Sequence, residues 1–265
     1  MAEHYEILAV KYAEKLDRVR ADNFIMDDRH DAPGPMDYFV WVVRNATRTI
    51  VVDTGYEQTE ADSRNRRILR SPQSALAVAG IDAAAVETVV ITHMHYDHAG
   101  TLGSFPKAQF HLQAAEMAFA TGPCMCHDHM RYPFTADHVC QMVRNIYSGR
   151  VTFWDGDGEV APGITVHKIG GHSRGLQAVR VATAGGPVVL ASDASHYYEN
   201  FERGKPFPIV VDMVDVLGGY ATLKSLAGTP RRVIPGHDPL VLARYPAVND
   251  ASRGIVHRLD VARTD

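Results

Sequence analysis

At 265 residues, 46 % of them apolar, the chain is long enough for one large α/β domain or two small ones, with a substantial buried core. Net charge is −4 and the densest basic run, "RNRR" at 64–67, reads as a solvated helix face, so nucleic acid is not an expected partner. No apolar stretch reaches the roughly 18 residues of a membrane span, and "MAEHYEILAVKYAEKL" lacks the apolar centre of a signal peptide, so no membrane partner and a cytoplasmic location are expected.

"YFVWVV" (38–43) and "TIVVDTG" (49–55) read as two strands joined by the polar turn "RNATR". "SPQSALAVAG" (71–80) carries a Ser cap, Pro at the first helical position and a closing Gly, the marks of a helix. "ETVVIT" (87–92) is a short, β-branched apolar run, hence a buried strand. "AQFHL" (108–112) reads as a strand and "QAAEMAFA" (113–120) as a helix. Residues 122–150, rich in Met, Tyr, His and Cys, read as a helical insertion. Strand-like runs follow at 151–154, 164–169, 176–183 and 187–192. A helix is expected over 212–227, weakened by Gly218 and Gly219, and then a final core strand in "RRVIPGHD" (231–238). Strands in two groups with helices outside imply two layered sheets, α/β/β/α, in one domain over 1–265 with a cap-like insertion at 122–150.

"THMHYDHAG" (92–100) crowds His93, His95, Asp97 and His98 just past an apolar strand. On extended backbone, positions i and i+2 point the same way, so His93 and His95 converge. Asp97 and His98, past the bend, can face a second ion. Imidazole and carboxylate suit Zn²⁺, and also Mn²⁺, Fe²⁺ or Co²⁺. A solvated His-rich loop would not explain why the cluster directly follows a buried strand. "CMCHDH" (124–129) has no second pair of ligands, so Cys124 and Cys126, like Cys140, are expected to be free thiols.

"THMHYDHAG" resembles the H-x-H-x-D-H signature of the metallo-β-lactamase superfamily. "TIVVDTG" resembles that family's first motif, with Asp53 behind the ligands. "GGHSRGLQA" resembles the third, "VVLASDAS" the fourth and "VIPGHD" the fifth, all in the family's order over residues 49 to 238. The resemblance implies an αββα sandwich of two mixed β-sheets flanked by helices. It implies two divalent metal ions, one on His93, His95 and His172 and the other on Asp97, His98 and His237, bridged by Asp193.

Two motifs compete with this reading. "GHSRG" (171–175) matches the G-x-S-x-G elbow of serine hydrolases. That elbow must lead from a strand into a helix, and here a strand follows, so Ser173 reads as a neighbour of a ligand. "DGDGE" (155–159) lacks the Gly and the acid of a calcium loop and reads as a turn.

Within the family, the layout looks most like the N-acyl-homoserine lactonase branch. Glyoxalase II-type thioesterases are the alternative, although they carry a further C-terminal substrate domain. The resemblance implies that a hydroxide held between the ions opens a small-molecule lactone or ester, with Asp97 in the chemistry. "SDASHYYENFE" (192–202) resembles the lactonases after the bridging Asp, where they place a Tyr three positions on. Here that position is His196, so either His196 or the adjacent Tyr197 is expected to assist. Met125, Met130, Tyr132 and Phe134, with Tyr197, Tyr198 and Phe201, are expected to roof the pocket. Arg174 is a candidate for meeting a substrate carboxylate, and a homodimer stays open.

Overall fold

A computed structural model describes residues 3–27 and 29–264. In chain order the strands are β1 (Glu6–Lys15), β2 (Met36–Arg44), β3 (Thr49–Val52), β4 (Arg67–Ile68), β5 (Thr88–Val90), β6 (Gln109–Gln113), β7 (Val151–Trp154), β8 (Gly158–Ala161), β9 (Ile164–Lys168), β10 (Gln177–Val181), β11 (Val188–Ser192), β12 (Val233–Pro235) and β13 (Val256–Arg258). The helices are α1 (Gln58–Arg64), α2 (Pro72–Val78), α3 (Ala114–Ala120), α4 (Asp128–Arg131), α5 (Ala136–Tyr147), α6 (Tyr198–Arg203), α7 (Met213–Ala227) and α8 (Leu240–Arg244).

The strands form two mixed sheets. The first runs β13-β1-β2-β3-β5-β6-β7, with β4 paired to β1, and the second runs β12-β11-β10-β9-β8. Two apolar clusters hold them. One packs Leu8, Val10, Tyr12, Val51, Val89 and Phe110 under α1, α2 and the 122–150 segment. The other joins Ile7, Ala9, Trp41, Val43 and Val90 of the first sheet to Val179, Leu190 and Ile234 of the second, and reaches Tyr220 and Leu223 on α7. Fully burying one such large apolar side chain stabilises the fold by about 1.5–3 kcal/mol. This is the two-sheet, helix-flanked sandwich expected.

Local chemistry explains the elements. Ser71 caps α2 by accepting from the Ser74 amide, with Pro72 next to it. Asp212 caps α7 by accepting from the amides of Val214 and Asp215. Gly219 is tolerated inside α7 because a Cβ there would stand 2.6 Å from the Ile169 side chain. The helix therefore sits closer to the second sheet than any larger residue would allow.

Three expectations need correction. The sheet does not end with "RRVIPGHD": β13 follows, pairing with β1 at Leu8↔Arg258. The "RNRR" run is not a helix face. α1 ends at Arg64, Asn65 turns the chain in the left-handed region, and Arg67 lies on β4. "DGDGE" is a turn only in its first part, because Gly158 already opens β8.

Parallel pairing positions the site. β3 and β5 run parallel with Val52 opposite Val90, so the chain leaves both at one edge, into Asp53 and into His93. β11 and β12 run parallel with Ser192 opposite Pro235, so Asp193 and His237 leave the second sheet together. Loops beyond the carboxyl ends of parallel strands are where open α/β sheets gather functional side chains.

Candidate metal centre

All seven ligand-type residues singled out in the sequence meet in one buried cluster. His93, His95, His172 and Asp193 form one group of converging nitrogen and oxygen atoms; Asp97, His98 and His237 form a second beside it. Asp193 lies between them. Its Oδ2 is 3.3 Å from His172 Nε2 and 3.8 Å from His93 Nε2. Its Oδ1 is 3.2 Å from His98 Nε2 and 3.0 Å from His237 Nε2. Asp97 stands 3.7 Å from both His98 Nε2 and His237 Nε2.

Several rings are held from behind. His98 Nδ1 lies 2.7 Å from Asp53 Oδ2, His172 Nδ1 donates to the Ile209 carbonyl at 2.8 Å, and His237 Nδ1 donates to the Asp37 carbonyl at 2.9 Å. A proton fixed on Nδ1 leaves the Nε2 lone pair facing inward, the tautomer a metal ligand needs. Asp53 itself, at φ 60°, accepts from the Thr92 amide and hydroxyl, so it locks the loop as well as the ring.

The donor chemistry fits divalent cations. His93 Nε2, His98 Nε2 and Asp193 Oδ1 are buried with no hydrogen-bond partner. Unpartnered polar atoms in such a place cost free energy unless something else engages them. Burial and the neighbouring rings of His98 push His93 well below the imidazole range, and burial and His172 do the same to His95. Both rings are neutral at pH 7 and offer lone pairs. Burial alone would raise the Asp193 carboxyl, but His196, His237 and His98 outweigh it and hold it well below the carboxylate range. Burial alone would lower His98, but Asp193, Asp97 and Asp53 push it well above its ordinary value. The cluster thus draws in positive charge at His98, which a cation would supply instead.

Glu116 is a member that sequence reading missed. Its buried carboxylate accepts from the Met94 amide at 2.9 Å, the Ser173 hydroxyl at 2.6 Å and the Gly175 amide at 2.8 Å. One side chain therefore ties the His93–His95 loop to the His172 loop. Gly175 must be glycine, since a Cβ would stand 2.2 Å from the Glu116 backbone. Ser173 donates to a carboxylate that accepts from two other groups, and β10 follows it. That geometry is not a nucleophile elbow.

The two candidates after Asp193 separate. His196 is buried, with Nε2 3.0 Å from Asp193 Oδ2, and it lines the cavity over the cluster. Burial pushes it down to about 3 despite Asp193, so the ring is neutral and its Nε2–H donates to the carboxylate. Tyr197 points elsewhere, contrary to expectation. Its hydroxyl donates to the Pro35 carbonyl at 3.2 Å and its ring packs against Phe24.

The roof also differs from expectation. Tyr132 lines the cavity and Phe134 meets the His95 ring edge-on at 4.7 Å, but Met125 and Met130 pack onto the first apolar cluster. Tyr198 and Phe201 are buried in the second cluster. Arg174 is exposed, away from the cavity. In its place Arg18, Arg66, Met36 and Phe207 line the walls. The free space over the cluster is about 40 Å³, room for a few waters. A hollow of about 650 Å³ lies elsewhere, around residues 47–50 and 80–88, and the described residues place no ligand-type cluster there. Cys124, Cys126 and Cys140 are exposed free thiols outside any such cluster. No helix among the described residues is long and apolar enough to cross a membrane.

Comparison with known proteins agrees with this geometry. The family profile "Metallo-beta-lactamase superfamily" matches residues 33–237. An N-acyl homoserine lactonase of a Bacillus species is 30% identical over 122 residues, 45% of this chain and 42% of that protein. The N-acyl homoserine lactonase AttM of Rhizobium johnstonii is 30% identical over 172 residues, 63% of each chain. The matched stretch spans less than two thirds of these relatives' length. Among solved structures, a quorum-quenching N-acyl homoserine lactone lactonase superposes with a TM-score of 0.75 at 21% identity, covering 91% of this chain and 95% of that one. AidC, a dizinc quorum-quenching lactonase, superposes with a TM-score of 0.66 at 16% identity, covering 88% and 86%. At such identities the structural likeness speaks for the fold.

Proposed function

This chain belongs to the metallo-beta-lactamase superfamily, and on that premise we propose that it is a dinuclear metal-dependent hydrolase that opens a lactone ring. The observation that carries the dinuclear reading is Asp193, whose two oxygens face two different sets of imidazoles. His93, His95 and His172 would hold one ion, and Asp97, His98 and His237 the other, with Asp193 shared. Zn²⁺ is the expected ion, and Mn²⁺, Fe²⁺ or Co²⁺ suit the same donors. Such ions, when bound, polarise an ester carbonyl and bring the pKa of water toward neutrality. The lactone reading is supported by the relatives named N-acyl homoserine lactonase.

The chain's own residues then divide the work. Water adds its oxygen to the ring carbonyl carbon, and Asp97 is the carboxylate at hand to take the proton released. As the ring C–O bond breaks, that proton returns to the departing alkoxide, and the product is a hydroxy acid. His196 is neutral and would become a donor to the reacting carbonyl by releasing its Nε2–H from Asp193 Oδ2, and the site needs no covalent intermediate on Ser173. Tyr132 and Phe207 exclude bulk water from the cluster.

The test is a hydrolysis screen of metal-loaded protein against lactones, thioesters, β-lactams and phosphodiesters. Lactones are expected to give the highest kcat/KM, and activity should vanish on chelation. A thioester turned over faster than every lactone would replace this reading with the glyoxalase II-type one.

A further inference from the structure

The cavity over the cluster holds two arginines that no motif announces. Arg66 donates through Nε to the Tyr96 hydroxyl at 3.2 Å and through Nη1 to the Arg64 carbonyl at 2.7 Å. Its Nη2 has no acceptor among the described residues. Arg18 donates through Nε to Asn23 Oδ1 at 2.7 Å and through Nη2 to the Asp22 carbonyl. Asn23 is fully buried and pinned by the Gly34 carbonyl, so the Arg18 head group is held in place. Neither arginine has a carboxylate within 4 Å among the described residues. The carboxylate charges that reach Arg66 are those of Asp97, which belongs to the ligand cluster, and of the exposed Asp17, which forms its ion pair with Lys15 at 2.8 Å.

Arg20, Arg44, Arg64 and Arg258 each pair with a carboxylate, whereas Arg18 and Arg66, like Arg150 and Arg180, have only neutral hydrogen-bond partners; of these four, Arg18 and Arg66 line the metal cavity. A guanidinium partly withdrawn from water whose hydrogen-bond partners are all neutral has unused donor capacity for an anion. Two of them on the walls of one metal cavity give that anion a fixed place next to the reacting bond. Arg is also the residue whose planar fork matches a carboxylate.

Resting on the lactonase reading above, we propose that the substrate is a small lactone bearing a carboxylate, which Arg66 and Arg18 hold while the ring faces the metal cluster. The arginines would set specificity for the charged ring.

Three lactones test this with the metal-loaded protein: γ-butyrolactone carrying a γ-carboxylate (the lactone of α-hydroxyglutarate), the methyl ester of that lactone, and N-hexanoyl homoserine lactone. The carboxylate is expected to exceed its methyl ester in kcat/KM by roughly tenfold or more at low salt. R66M and R18M should each bring that ratio toward unity, and R66K should fall between. Calorimetry gives a readout independent of turnover: α-hydroxyglutarate should bind more tightly than γ-hydroxybutyrate, and R66M should erase the difference. Equal or faster opening of the neutral lactones, with R66M lowering all three in parallel, overturns the proposal and leaves the lactonase reading standing. If none of the three is opened, calorimetry decides alone. Arg66-dependent preference for the diacid then sustains the anion clamp, and its absence overturns it.

Discussion

Phe207 lies flat on His196, with ring centroids 3.6 Å apart and planes 8° from parallel. His237 stacks on the same imidazole at 5.2 Å, tilted by 25°. His196 is therefore held against two rings with its Nε2–H on Asp193, poised to pass that hydrogen bond to a substrate oxygen. Substituting it by Ala should lower turnover by about 100- to 10,000-fold with metal content unchanged, the usual range for a positioned acid or donor. Tyr197→Phe should keep turnover and cost only about 0.5–1.5 kcal/mol of stability for the lost bond to Pro35. Steady-state kinetics with elemental analysis of both variants checks this. Full turnover in His196→Ala would mean the site runs without it.

Metal content offers a second check. Purified protein should carry close to two equivalents, and Asp193→Ala should lose more metal than His95→Ala, because Asp193 faces both groups. Chelation should lower Tm and metal return should restore it. A single site at a hundredfold excess of ion over its Kd contributes about 2.7 kcal/mol. Saturation at one equivalent under metal excess would refute the dinuclear site.

Ser173→Ala should retain most of its turnover. It removes one of three donors to the Glu116 carboxylate, so a stability loss of about 1–3 kcal/mol is expected, read from denaturant unfolding. Glu116→Ala should do far more, since it frees both ligand loops, and its metal affinity should fall. Inactivation of Ser173→Ala as deep as that of His95→Ala would point to a serine nucleophile.

The 122–150 segment is tied to the site by a few contacts. The Tyr96 amide donates to the Pro133 carbonyl at 2.8 Å, and Arg64 donates to the Tyr132 carbonyl at 2.8 Å while lying over the Tyr96 ring. As a cap, this segment should show slowed hydrogen exchange when a ring-opened product binds. Arg64→Ala should speed exchange there even in the free protein. If protection were confined to the metal loops, the segment would be a structural insertion.

The ligands were legible because each follows a β-branched run that had to be a buried strand, and four of them are nearly contiguous. β1 was not. Leu8, Val10 and Tyr12 face one apolar cluster while Ile7 and Ala9 face the other, so the polar alternation that marks a half-buried strand is absent. β13 is only three residues long and exists by pairing with β1. Glu116 looks like an exposed helix residue until the fold brings two loops to it. Arg18 and Arg66 lie in connections far apart in sequence. Only the pairing of β1 with β4, Glu14 opposite Arg67, sets them on one rim. The direction of Tyr197 depended on the exact residue at which β11 ends, the detail that periodicity resolves least.

The chain has no disulfide among its described residues, yet the cluster spans His93 to His237 and draws ligands from both sheets. Ions bound as proposed would staple the two halves of the sandwich, closing a loop of more than half the chain. A reversible staple of this kind restrains the opened ensemble much as a cystine does. Copies made under metal starvation would open more often and meet proteases sooner. Metal supply would then govern how long each copy survives, and not only whether it can turn over substrate.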